Sequence, residues 1–319
     1  MKTLVLRSLA ALLLGAISLQ CGNNNSTGPG STLVGPPVGL KALSVNSTTV
    51  SLQWSTPATG TDSTLAAFVL QRGPAPNAVN DTVPAASLTF DETGFPVGTG
   101  ATPFAVISLR RDGSMSEPAS ITWAPAARFD SAYTITESTT RNPTRLSGID
   151  IGSETRNPST MPKADVGSAS LEDFYLDGGE GTGDLQLISA SGVFPNQQTL
   201  FSTVTSSSGS LDYYLSSFPA QQTFSLPQVP VTDNTIYYVQ VVGDNGVTSS
   251  RLFARIQVHV LPYGSPDRAV EVRISLQRVA GILYAANVPA ASPRSTLAPL
   301  VTALNRACSV VPYTVRGMR

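Results

Sequence analysis

Charge, histidine and cysteine are all scarce in this chain. Charged residues fill 13% of its 319 positions, against roughly 25% in an ordinary globular domain. The 20 basic and 21 acidic residues nearly cancel, leaving a net charge of −1, and no basic face stands out. Nucleic acid is therefore a poor partner, because phosphate binding depends on clustered lysine and arginine. Lysine occurs only as Lys2, Lys41 and Lys163, and histidine only as His259. A zinc centre needs several nitrogen or sulfur ligands. Ser-His-Asp or Cys-His catalysis needs a histidine in a pocket beside its nucleophile. Strand alternation puts His259 on the polar side of its segment, which predicts a surface histidine. No cofactor is implied and no enzyme activity is expected.

What the chain does have begins with a greasy leader. Lys2 and Arg7 precede an apolar stretch from Leu9 to Leu19, the proportions of a secretory signal. The stretch is short for a membrane span, which takes about 20 residues. It ends Ile17-Ser18-Leu19-Gln20-Cys21-Gly22. This segment resembles a bacterial lipoprotein signal, in which the cysteine becomes the first mature residue and takes lipid on its sulfur and amine. The resemblance makes residues 1–20 a signal peptide and Cys21 the lipidation site. Gln20 departs from it, since a small residue normally precedes the cysteine. Ala16 and Ser18 have the small–x–small spacing of an ordinary signal peptidase site, so plain secretion is the alternative. Residues 21–35 then form a lipidated cysteine and a tether. The tether is Gly, Asn, Ser, Thr and Pro with almost nothing to bury, a composition that stays flexible. Random-coil scaling gives the sixteen residues 22–37 a reach of roughly 20–25 Å. The expected location is the cell envelope, at an outer membrane or the cell surface, with the membrane as partner through Cys21. Loss of Lys2 and Arg7 with the leader leaves 18 basic against 21 acidic residues. With Cys21 acylated, Cys308 has no intrachain partner, and apolar cores must supply the stability.

From Pro36 the pattern changes to short alternating runs. Val50, Leu52 and Trp54 fall on one side of a strand, and Phe68 and Leu70 on one side of the next. Short strands follow at Leu88–Asp91, Phe104–Ser108 and Ser120–Trp123. Turn signals between them recur roughly every ten residues, the mark of a β-sandwich. Pro36-Pro37 with Leu40, Val50-x-Leu52-x-Trp54, Phe68-x-Leu70-x-Arg72, Phe90-Asp91 and the run from Phe104 to Ser120 resemble a fibronectin type III domain over residues 36–125. The resemblance implies a spacer, adhesion or protein-binding module with Trp54 in its core. Thr102 stands where that family usually has a tyrosine, so the corner hydrogen bond of that tyrosine is expected to be missing.

Residues 126–284 read as a second β-rich domain, an antiparallel sandwich or partial barrel. Ala132–Thr136, Leu171–Leu176 and Asp184–Ser189 have strand character. The strongest pair is Thr235–Val242 and Ser250–Val260, joined through Asn245-Gly246, a hairpin signal. In the second of these Leu252, Ala254, Ile256, Val258 and Val260 share one face. Arg251, Phe253, Arg255, Gln257 and His259 share the other. Ala269–Leu276 adds a further strand. "FARIQV" and "VEVRISLQ" resemble the ending of some exported bacterial lipoproteins. Residues 285–319, with four prolines and four arginines but no acid, are expected to be a flexible tail.

Two candidate sites remain. Asp177, Glu180 and Asp184 lie on a glycine-rich stretch and could hold Ca²⁺, which favours oxygen ligands; a solvated turn is the alternative. No Gly-Lys-Ser/Thr follows, so a phosphate loop is excluded. Tyr213, Tyr214, Tyr237 and Tyr238 could stack on sugars, although alternation sends one of each adjacent pair inward. The sequence thus predicts an all-β, membrane-anchored, non-enzymatic binding or structural module with a protein or polysaccharide ligand. An accessory carbohydrate-binding protein is the alternative, and a hydrolase with its site between the two domains a more distant one.

Overall fold

Alternating runs become strands wherever turns can close between them. The computed structural model describes residues 35–57, 64–74, 77–139, 143–163, 172–179, 181–190, 198–206, 209–242, 251–262 and 268–284. The first seven strands are β1 (Val38–Asn46), β2 (Thr49–Ser55), β3 (Leu65–Arg72), β4 (Val79–Pro84), β5 (Thr89–Glu92), β6 (Thr102–Arg110) and β7 (Ala119–Trp123). They form two antiparallel sheets, ordered β1-β2-β5 and β4-β3-β6-β7. Local chemistry sets the turns. The Asn46 carboxamide oxygen accepts from the Thr48 amide at 2.8 Å and closes the β1–β2 turn. Asp112 accepts from the Ser114 hydroxyl and amide, which holds its carboxyl below the ordinary range.

Between these sheets Val50, Leu52, Trp54, Phe68 and Leu70 are buried, as their alternation predicts. Trp54 meets Phe68 edge-on, with centroids 5.5 Å apart; such pairs contribute about 0.5–1.5 kcal/mol beyond the area they bury. Thr102 stands at the start of β6, where its hydroxyl donates to the nearby Gly100 carbonyl. Sequence reading missed β1 and β4 of this sandwich. Each lies at a sheet edge, and alternation is weak in both: β1 buries the consecutive Ala42, Leu43 and Ser44, and β4 keeps most of its side chains outward.

Eleven further strands follow: β8 (Ala127–Thr136), β9 (Leu146–Asp150), β10 (Ser159–Pro162), β11 (Phe174–Asp177), β12 (Gln186–Ser189), β13 (Gln198–Ser206), β14 (Phe224–Leu226), β15 (Gln228–Pro230), β16 (Thr235–Val242), β17 (Arg251–Val260) and β18 (Ala269–Gln277). The sheet orders are β10-β9-β11-β12-β15 and β14-β13-β16-β17-β18-β8. Among the described residues there is no α-helix. β16 and β17 pair antiparallel from Thr235↔Val258 to Val242↔Arg251, as the hairpin signal predicts; Asn245 and Gly246 lie outside the described residues. One face of the six-stranded sheet presents Val239, Val241, Leu252, Ala254, Ile256, Val272 and Ile274. These pack with Ile149, Phe174, Leu176 and Leu187 of the five-stranded sheet into a continuous core.

The opposite face corrects the sequence reading. Its predicted polar character survives only at the ends, where Arg251 and His259 are exposed. Between them Phe253 and Arg255 are buried, and Gln257 is half-buried. Residues 211–224 lie across this face and contribute Leu211, Leu215, Phe218 and Phe224. Together with Tyr284, Tyr238 and Phe253 they join the same hydrophobic cluster as Trp54, Phe68 and Trp123 of the first sandwich. Phe218 stacks on Tyr284 at 4.7 Å, and Tyr284 meets Trp123 edge-on at 6.0 Å.

The connection between the sandwiches, Ala124-Pro125-Ala126, is itself buried. A buried connector must have its backbone satisfied, and here it does. The Ala124 amide donates to the Tyr284 carbonyl at 2.7 Å. Gln277 donates to the Pro125 carbonyl at 2.9 Å. The Ser44 hydroxyl accepts from both the Ala126 amide and the Trp123 indole. Ala42 and Leu215 exchange a pair of backbone hydrogen bonds across the same junction. Both sandwiches accordingly fall, in their described residues, within one compact unit.

A glutamine-lined cleft and the glycine loop

The glycine-rich stretch after β11 is organised by a pair that sequence reading missed. Glu137, just past β8 and fully buried, takes two hydrogen bonds at 2.8 Å from Arg268, just before β18. The same guanidinium donates to the carbonyls of Gly178 and Gly183, while the Gly181 amide donates back to Glu137 at 2.7 Å. Hydrogen bonding to Glu137 holds Arg268 above the ordinary arginine value. Two loop carbonyls are therefore already bound to a cation, the guanidinium. A Cβ at Gly178 would overlap Arg268 and crowd Glu137 at 2.9 Å, which explains the glycine sterically.

Of the three carboxylates assigned to calcium, Asp177 pairs with Lys163 at 3.4 Å and caps the Gly179 amide. Asp184 is exposed. Glu180 lies outside the described residues, as do Cys21 and Cys308. Among the described residues no group of three or more His, Cys, Asp or Glu side chains could hold a metal ion.

His259 is a half-exposed surface residue whose Nδ1 lies 2.8 Å from Asp233. The Val260 amide and His259 together hold the Asp233 carboxyl below its usual value, against a desolvation effect that would raise it. The tyrosines divide differently from the predicted pattern. Tyr213 is exposed, with Lys41 over its ring at 5.5 Å, and Tyr214 bonds Ser51 at 2.8 Å. Tyr237 and Tyr238 are both buried, one on each side of β16. Neither can serve as a sugar platform, because both faces of that sheet are covered.

A cleft of about 510 Å³ opens over the covered face at the β13–β16–β17 end, within the roughly 300–1,000 Å³ of small-molecule sites. Cross-strand register builds it. Leu200 pairs with Gln240, and the next row aligns Gln198, Val242 and Arg251. Gln221 and Gln222, from the 3₁₀ turn before β14, and Phe224 complete the lining. Among the described residues the result is four carboxamides, one guanidinium and an apolar floor, with no carboxylate. A second cleft, about 310 Å³, is lined by Ser202, four threonines, Tyr237 and apolar residues. Among the described residues neither cleft is lined by Asp or Glu. The sequence signal for the first was a lone glutamine inside the apolar run Thr235–Val242.

No known family model matches the chain, and no curated protein matches it either. Solved structures similar to part of the chain include the FN5 domain of Drosophila Lar. That match has 22% identity and a TM-score of 0.23, and covers 29% of this chain and 98% of that one. Titin module A71 from human cardiac muscle matches at 21% identity over 28% of this chain and 86% of its own, with a TM-score of 0.24. The third fibronectin III domain of human KIAA0343 protein matches at 15% identity over 35% of this chain and all of its own, with a TM-score of 0.27. The all-β assignment rests on the strand order and registers above.

Proposed function

We propose that this chain is a cell-envelope protein held by lipid on Cys21, whose two sandwiches act as one rigid, non-enzymatic binding or structural head. The buried connector Ala124-Pro125-Ala126 supports this most directly. Tandem modules that move independently are joined by exposed linkers with few contacts across them. Here the joint is inside a shared core, so surfaces from both sandwiches keep a fixed relation to each other. The leader and the Gly/Asn/Ser/Thr tether add the anchor and the slack that such a head needs. Several acyl chains on one cysteine hold a protein stably, whereas one chain alone binds marginally.

Mass spectrometry of the mature N-terminus in the native host tests the anchoring. A first residue at Cys21 carrying acyl mass is expected; a free N-terminus next to Ala16–Ser18 would mean secretion instead. A second reading, accessory carbohydrate binding, is favoured by the carboxamide-lined cleft. It no longer rests on Tyr237 and Tyr238.

A further inference from the structure

The face of the six-stranded sheet that meets the first sandwich carries three inward glutamines. Two have protein partners. Gln277 donates to Pro125 and accepts from the Val279 amide, and Gln257 donates to the Gly209 carbonyl. The third, Gln240, is 4% exposed and lines the larger cleft. Its amide has no hydrogen-bond partner among the described residues. The amide is not among the fully buried polar atoms, so it opens into the cleft, where it is free to pair with water or with a ligand hydroxyl.

We infer that this cleft binds a hydroxyl-rich sugar bearing a carboxylate, within an acidic polysaccharide or its fragment. A carboxamide donates and accepts at once, as a hydroxyl does, so Gln240 with the exposed Gln198, Gln221 and Gln222 matches a ring of hydroxyls. Leu200, Phe224 and Val242 offer an apolar floor to the C–H face of the ring. Arg251 supplies the charge. It is exposed at the rim and makes no salt bridge among the described residues. Guanidinium geometry fits a carboxylate in two parallel hydrogen bonds. With one cation and no anion among the described lining residues, a carboxylated sugar is favoured over a neutral one.

This inference rests on reading the chain as a binding head, but not on its acylation; failure here leaves the N-terminal mass and the rigid junction untouched. Calorimetric titration of the intact mature chain with trigalacturonate, maltotriose and a short polyglutamate tests it. Trigalacturonate should bind, with affinity falling as salt is raised. Arg251→Ala should weaken it about tenfold and flatten the salt dependence, since charged hydrogen bonds carry that much. Gln240→Leu should weaken it about fivefold or more while leaving the melting temperature unchanged, because the amide bonds no protein group among the described residues and only its pairing with the sugar is lost. Maltotriose should bind several-fold more weakly. The inference is overturned by no binding of trigalacturonate at millimolar concentration, by affinity indifferent to both substitutions, or by maltotriose or polyglutamate binding as well as trigalacturonate.

Discussion

Strands β2 and β16 show two ways of being buried. In β2, Val50, Leu52 and Trp54 enter the first core while Gln53 is half-exposed. The segment alternates and can be read at sight. In β16 every residue from Thr235 to Val241 is buried, and its text, Thr-Ile-Tyr-Tyr-Val-Gln-Val-Val, hardly alternates. A run without alternation marks a strand covered on both sides. The second cover here is a loop and a neighbouring sandwich. The difference teaches that the six-stranded sheet is an interior layer, and that the first sandwich is part of what makes it interior.

The sharpest way to break that contrast is to remove the second cover. Tyr284→Ala deletes a fully buried ring that contacts Phe218 and Trp123 and whose hydroxyl donates to the Ser275 carbonyl. A loss of about 3–5 kcal/mol is expected, read by urea denaturation with both sandwiches melting together. Next comes Arg255, buried to 2% exposure, with its Nε unpaired among the described residues and a long 3.4 Å contact to the Tyr213 carbonyl. Desolvation pushes its pKa down. Arg255→Met should raise stability by about 1–3 kcal/mol, since a buried cation without a carboxylate is replaced by an apolar chain of similar length. A melting temperature lowered by this substitution would contradict the account.

Ser44→Ala strips one acceptor from two buried donors, Trp123 Nε1 and the Ala126 amide, and should cost about 1–3 kcal/mol. Gly178→Ala tests the other junction, the glycine loop. Overlap with Arg268 should cost about 1–3 kcal/mol without disturbing the core between the sandwiches. The smallest effect is one of pH. Burial raises the Glu92 pKa despite Arg72 at 2.6 Å. The folded chain then holds a proton that the unfolded chain has released. Between the ordinary Glu value and the raised one, this residue's contribution to stability therefore falls as pH rises. Asp212 runs the opposite way. Hydrogen bonding from Arg128 lowers it, so its contribution is lost as pH falls through its depressed value. NMR titration of both carboxyls checks the two signs.

Much of the fold was legible because its signals are local. The β16–β17 hairpin, the inward positions of β2 and β3, and the long β18 all follow from periodicity within a single segment. What stayed hidden depends on distance along the chain. Glu137 and Arg268 are 131 positions apart, and Ser44 reaches Ala126 across 82; no local pattern marks either pair. The same holds for the site. Gln240 looks like an interruption of an apolar run until Gln198 and Arg251 are brought to it by register. Tyr237 and Tyr238 misled for a related reason, since alternation assumes one wet face and this sheet has none at that point.

Hydrogen exchange on the intact chain, resolved strand by strand, tests the shared core most directly. If the two sandwiches are one body, the slowest amides of β2 and β3 open with the same free energy as those of β16 and β17, and Ser44→Ala lowers both sets equally. Opening of β2 and β3 at a lower free energy, with β16 and β17 indifferent to Ser44→Ala, would show two separate domains that merely touch.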